Sequence, residues 1–146
     1  MTNILVTGGA GYIGSHNVLA LIKKGYDVVI FDNLYTGHKE IVEELSSYNA
    51  KGKILDFIKG DLKNYDDIES VFKIYDITAV LHFAAVSLVG ESVTDPQKYY
   101  YNNVFGTLNL LRAMIESNVD KIVFSSTAAI YGEPVYIPID EKHPKN

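Results

Sequence analysis

Ile4-Leu5-Val6-Thr7-Gly8-Gly9-Ala10-Gly11-Tyr12-Ile13-Gly14 is the stretch on which the reading of this chain turns. An apolar run leads into glycines at 8, 11 and 14, and a helix-like segment begins near Tyr12. Glycine at 8 permits a tight strand-to-helix turn, glycine at 11 lets the backbone approach a pyrophosphate, and glycine at 14 lets the helix pack closely on the strand. The helix then points its free N–H groups and positive dipole end at the phosphates. A glycine turn that only reverses the chain is the alternative. What favours the phosphate reading is a second apolar run, Val28-Val29-Ile30-Phe31, which ends in Asp32, 18 residues after Gly14. Strand, glycine turn, helix, strand and acid in this order form a dinucleotide-binding pattern, with the acid on the ribose.

Asp32 also separates two cofactors. A carboxylate there accepts both ribose hydroxyls of NAD and repels the 2′-phosphate of NADP. Arg112 is the one arginine of the chain and no arginine stands near Asp32 to reverse that preference. NAD is the expected cofactor.

With 146 residues, 47% hydrophobic and 21% charged, the chain is long enough for one domain with a real core. A net charge of −5 argues against nucleic acid or an anionic membrane as the main partner. There is no cysteine, which excludes disulfides and thiolate chemistry, and the four histidines at 16, 38, 82 and 143 are too scattered to suggest a metal site. No signal peptide or membrane span is read at the start, so cytoplasm is the expected compartment.

Strands are expected at about 3–7, 27–32, 54–59, 78–83 and 120–125, and helices at about 12–24, 38–48, 64–75 and 97–117. The apolar runs lack the alternation of a half-wet sheet, which suits parallel strands covered by helices on both faces. The fold class is therefore α/β, a Rossmann-type doubly wound parallel sheet of at least five strands. Lys24-Gly25 marks the end of the first helix, and Asp95-Pro96 the start of the fourth. Val104, Leu108, Leu111 and Ile115 read as the buried face of that fourth, longest helix, set against the sheet centre. The stretch from Gly132 to Asn146, with its three prolines, reads as a loop.

In such sheets the ligand lies beyond the carboxyl ends of the strands. After the third strand Asp61 is either an acceptor for the adenine amino group or a helix cap. After the fourth, Ala84 and Ala85 either leave room for a cofactor or pack a core. Ser125-Ser126-Thr127 places three hydroxyls where the nicotinamide should lie, although such runs usually serve turns and caps. Asn102 and Asn103 sit early in the long helix and need hydrogen-bond partners there; one of them is a candidate for fixing the loops beneath the cofactor.

Taken together, Thr7 to His16, Asp32-Asn33-Leu34, Gly60-Asp61-Leu62, His82-Phe83-Ala84-Ala85, Val89-Gly90-Glu91-Ser92, Tyr100 to Val104 and Ser125 to Gly132 resemble the extended short-chain dehydrogenases, and within them the UDP-glucose 4-epimerases. The resemblance covers essentially the whole chain, and the 89–92 and 100–104 segments are its most specific parts. It implies a permanently held NAD beside Gly8, Gly11, Tyr12, Ile13 and Gly14 of the turn. It implies further contacts from Asp32, Asn33, Leu34, Tyr35, Thr36 and Gly37, from Asp61 and Leu62, from Phe83, Ala84, Ala85 and Ser87, and from Asn102 and Ser125. It implies that Thr127 bonds the sugar 4-oxygen. In such enzymes a tyrosine, its pKa lowered by a lysine, takes the 4-hydroxyl proton while hydride passes to NAD. The 4-keto sugar then turns over and takes the hydride back on its other face.

Two departures stand out. Ala85-Val86-Ser87 replaces a common Gly-Leu-Lys, which exchanges a cationic cofactor contact for a hydroxyl. The family's Tyr-x-x-x-Lys, expected about two dozen residues beyond Thr127, is not among the 146, nor is its sugar-binding domain. Tyr35-Thr36-Gly37-His38-Lys39 has that spacing but follows Asp32 at the adenosine end, so it reads as coincidence. The resulting expectation is residues 1–146 as an incomplete NAD-binding domain: inactive alone, showing apolar surface or associating with another chain, a homodimer when full length, and acting on UDP-glucose and UDP-galactose. The alternatives are an epimerase of another nucleotide sugar and a non-catalytic NAD-sensing module. A dehydratase is disfavoured because Ala128-Ala129 stand where that group carries Asp-Glu.

Overall fold

The apolar run before the glycines is the centre of a five-stranded parallel sheet. A computed structural model describes residues 2–145; Met1 and Asn146, the first residue and the end of the Gly132–Asn146 loop, lie outside it. The strands are β1 (Asn3–Thr7), β2 (Asp27–Asp32), β3 (Ile54–Lys59), β4 (Ile77–His82) and β5 (Ile122–Phe124), in the order β3-β2-β1-β4-β5. Every observed strand lies within two residues of its expected bounds. The order runs outward from β1 in both directions, so the crevice opens between the carboxyl ends of β1 and β4.

Helices α1 (Tyr12–Lys24), α2 (Lys39–Ser47) and α3 (Tyr65–Ile74) link the first four strands. A short α4 (Val89–Thr94) follows β4, where the sequence reading places no helix. Gly90 and the β-branched Val89, Val93 and Thr94 are weak helix formers, which hid it. The long helix then runs as α5 (Pro96–Tyr99), a π-helical segment (Tyr100–Phe105) and α6 (Gly106–Glu116). Its backbone stays right-handed across both junctions, so it is one rod from Pro96 to Glu116. The Asp95 side chain caps it by accepting from the Lys98 amide. Gly25, in the left-handed region at φ 97°, closes α1 as expected.

The pleat sends alternate residues to opposite faces, and each face has its own core. Ile4, Val6, Val28 and Ile30 pack with Val18 and Ile22 of α1 and Val42 and Leu45 of α2. Leu5, Val29, Phe31 and Val80 pack with Ile68 and Val71 of α3 and with Leu110, Ala113 and Met114 of α6. Double covering explains why these strands read as unbroken apolar runs.

One expectation is reversed. Val104, Leu108 and Ile115 are exposed, and Leu111 only flanks the core. The face that meets the sheet is Gly106, Asn109, Leu110, Ala113 and Met114. Asn109 is tolerated there because its side-chain amide donates to the Leu62 carbonyl at 2.8 Å. At the sheet's edge, Val123 and Phe124 of β5 are also exposed, so the expected apolar surface is present.

Candidate functional site

Each glycine of the turn answers to a different constraint. Gly8 has φ 72°, and a Cβ there would stand 2.6 Å from the Ala84 amide nitrogen, so the turn is pressed against the end of β4. A Cβ on Gly14 would lie 2.1 Å from the Gly8 carbonyl oxygen, which is how closely α1 docks on the turn. At Gly11 the nearest atom is the Gly8 oxygen at 3.4 Å and the remaining space is open. Gly11 begins α1 without any side-chain cap, and the amides of Tyr12, Ile13 and Gly14 have no acceptor within the helix. The combination of free amides, a helix dipole and a missing Cβ suits an anion seated on the turn.

A cleft of about 270 Å³ opens at this point. Its floor is Gly8, Gly11, Tyr12, Ile13 and Gly14 of the turn. One wall is Asp32, Asn33, Tyr35 and Thr36 after β2, with Asp61 and Leu62 after β3. The facing wall is Phe83, Ala84, Ala85 and Val86 after β4, with Asn102 from the π-helical segment. Four strand ends and one helix thus meet around one concavity, although they span almost the first hundred residues of sequence.

Asp32 is buried, and both its oxygens are held. Oδ2 accepts from the Ala10 amide at 3.0 Å and Oδ1 from the Leu34 amide at 2.8 Å. Each oxygen keeps a second lone pair, so the carboxylate is oriented without being saturated. Asp61 accepts from the Lys63 amide at 2.9 Å, from Asn33 Nδ2 at 3.1 Å and from Lys63 Nζ at 3.0 Å. Partial burial works against its charge, but the Lys63 amide, the Lys63 ammonium and the Asn33 amide hold its carboxyl below the usual carboxylate range. The cap of α3 is Asn64, whose side chain accepts from the Asp66 amide, so Asp61 does not cap that helix.

The two asparagines divide the work. Asn102 lines the cleft, while Asn103 accepts from the Val86 amide at 2.9 Å and donates to the Val86 carbonyl at 2.8 Å. The loop after β4 is therefore pinned by a side chain, as the need for partners at 102 and 103 suggests.

Four expected contact residues stand off the cleft. Leu34, at φ 61°, packs its partly buried side chain against the core that the sheet shares with α1 and α2. Gly37 packs on Ala10, where a Cβ would come within 2.9 Å of Ala10 Cβ. Ser87 is exposed beyond the cleft rim, and the Ser125 amide is used by the His82 carbonyl at 3.0 Å. Leu34 and Gly37 shape the loop rather than line it. Thr127 is exposed and accepts from the Ala129 amide at 3.2 Å, beginning a 3₁₀ turn at Ala128–Tyr131. Phe31 and Gly60 also line the cleft, although the sequence reading gives them no contact. Position is their only signal, since each adjoins an acidic residue at a strand end.

Tyr35 and Lys39 do not form a pair. Lys39 bridges to Glu43 at 3.3 Å on an exposed face. The Tyr35 hydroxyl instead accepts from Lys98 Nζ at 2.8 Å, and Lys98 also holds Glu91 at 2.6 Å. That ammonium pulls the Glu91 carboxyl below its ordinary pKa. Among the described residues no group of acidic, histidine or cysteine side chains could hold a metal ion, and no helix is long and apolar enough to cross a membrane.

The same fold occurs in known proteins. The family model described as GDP-mannose 4,6 dehydratase matches residues 5–146. UDP-glucose 4-epimerase of Halalkalibacterium halodurans is 51% identical over 141 residues, covering 97% of this chain and 39% of the relative. The crystal structure of UDP-glucose 4-epimerase from Bifidobacterium longum in complex with NAD+ and UDP aligns with a TM-score of 0.81 and 42% identity, over 99% of this chain and 43% of that one. The Stenotrophomonas maltophila enzyme, solved with NAD and formylated UDP-arabinopyranose, aligns with a TM-score of 0.86 and 37% identity, over 100% of this chain and 43% of that one. The chain spans about two fifths of the length of the curated relatives it matches.

Proposed function

This chain belongs to the GDP-mannose 4,6 dehydratase family, and from that premise we propose that residues 1–146 supply the NAD-binding part of a UDP-glucose 4-epimerase. The observation that carries the reading is the cleft over an uncapped helix start, floored by Gly11 and walled by an oriented Asp32. The residues fit the cofactor: an open glycine where phosphates would lie, and a buried carboxylate with spare acceptor capacity where a ribose would lie. Solved relatives hold NAD and uridine nucleotides.

The parts of this chain would then act as follows. The Tyr12, Ile13 and Gly14 amides bind the pyrophosphate and neutralise it without a cationic side chain. Asp32 takes the ribose hydroxyls and disfavours a 2′-phosphate. Asp61, kept ionised by Lys63 and Asn33, accepts from the adenine amino group. Asn103 keeps the Ala84–Val86 wall in place, and Thr127 bonds the sugar 4-oxygen. NAD, when bound, supplies a reversible hydride acceptor. The tyrosine base, its lysine and the sugar-binding domain belong to the rest of the protein, in keeping with the share of its relatives that the chain covers. A cytoplasmic location and a homodimer are part of the same reading. The exposed Val104, Leu108 and Ile115 give the long helix an apolar face for such a contact.

The family model's name raises a dehydratase, but Ala128 and Ala129 offer no acid or base for elimination. The test is conversion of UDP-galactose to UDP-glucose. The protein that carries this chain should interconvert the two sugars without net NADH, and the 146 residues alone should not. Turnover by the 146 residues alone, or none by a whole protein shown to hold NAD, contradicts the reading.

A further inference from the structure

His82 closes β4, directly before the Phe83–Val86 wall of the cleft, and nothing in the dinucleotide pattern gives it a part. It is 3% exposed. Its Nδ1 lies 2.6 Å from the hydroxyl of Thr7, the last residue before the glycine turn. Its Nε2 lies 3.0 Å from the hydroxyl of Thr107, on the first turn of α6. The Thr107 oxygen is 2.5 Å from the Asn103 carbonyl oxygen.

These distances fix the direction of the chain of hydrogen bonds. Two oxygens that close must share the hydroxyl proton, so Thr107 donates to Asn103. It then has only acceptor capacity left for the imidazole. Nε2 therefore carries the proton and donates to Thr107. Burial pushes the imidazole pKa down to about 4, so the ring is neutral, and Nδ1, left without a proton, accepts from the Thr7 hydroxyl. The series runs from the end of β1, through the end of β4, to the carbonyl of the residue whose side chain holds Val86 on both its amide and its carbonyl. Phe124 of β5 covers the ring at 5.3 Å between centroids. A residue present only to fill space would not use both ring nitrogens.

We propose that His82 is a positioning residue of the cofactor site: it locks the glycine-turn strand to the π-helical segment, so that Asn103 holds the Val86 wall and Asn102 faces the cleft. The inference rests on the NAD reading above. Two neighbouring asparagines on one helix can do these two different tasks only while the register of Tyr100–Phe105 is held, and Thr107 is the group next to that segment that the imidazole grips.

The experiment titrates NAD against the full chain and its variants, with thermal unfolding followed in parallel. His82→Phe keeps the bulk and removes both hydrogen bonds, and Thr107→Val removes the hydroxyl at constant size. Each should weaken NAD binding about 10-fold, the scale of one or two lost buried hydrogen bonds. His82→Gln, which can still donate to Thr107, should stay within about 3-fold. Should His82→Phe not fold, Thr107→Val carries the test. NAD binding by Thr107→Val equal to that of the unsubstituted chain overturns the inference. So does a His82→Gln protein that loses as much affinity as His82→Phe. No binding by the unsubstituted chain would overturn the cofactor reading itself, and this inference with it.

Discussion

Gly11 and Gly14 look alike in the sequence and do different things. A methyl group at Gly14 meets backbone at 2.1 Å, whereas at Gly11 it meets little but the cleft. Gly14→Ala should therefore destabilise the fold by about 2 to 3 kcal/mol, as overpacking against immobile backbone does. Gly11→Ala should leave stability within about 0.5 kcal/mol, because φ −82° and ψ 175° suit alanine. It should nevertheless weaken NAD binding, because the methyl occupies the space for phosphate. Urea unfolding alongside NAD titration checks both, and equal stability losses would contradict the assignment. The glycine spacing and Asp32 made this part of the site legible in the sequence. Leu34, Gly37 and Ser87 could not be sorted from their neighbours that way. Whether a loop residue lines a cleft or props up the loop depends on which way its backbone turns, as the positive φ of Leu34 shows.

At the scale of elements, strands and helices could be read because doubly covered strands are continuous apolar runs and because caps such as Asp95 and Gly25 have chemical signatures. The phase of the long helix could not. Its apolar residues occupy more than one face, and the π-helical segment adds a residue to a turn and so rotates α6 relative to α5. Leu110→Ala should cost about 2 to 4 kcal/mol, whereas the exposed Leu108→Ser should change monomer stability by less than about 0.5 kcal/mol. The reverse order in a denaturation series would restore the face containing Val104 and Ile115 as the buried one. The same region governs acid sensitivity. His82 has a pKa of about 4 in the folded chain, against 6.5 for a free imidazole. The unfolded chain therefore takes up the proton first. The stability His82 contributes is complete above pH 6.5 and is lost as pH falls toward 4, amounting to about 2 kcal/mol by pH 5. Unfolding at pH 7 and pH 5 should show that loss in the parent chain and a smaller one in His82→Gln. Equal losses would place the acid sensitivity elsewhere.

For the whole molecule, the net charge of −5 works against an anionic dinucleotide, so affinity must come from fixed local groups. On the proposed reading, those groups are the free amides at the start of α1 and the oriented carboxylate of Asp32. They also make a preference for NAD over NADP an expected property of these 146 residues. Apolar side chains are exposed on α6, at Leu108 and Ile115, and on β5, at Val123 and Phe124. The most direct test is an equilibrium titration of the 146-residue chain with NAD and with NADP, alongside an Asp32→Asn variant. NAD should bind, NADP should bind at least about 100-fold more weakly, and Asp32→Asn should narrow the gap. No binding of either dinucleotide, or equal binding of the two by the parent chain, would contradict an Asp32-walled NAD site.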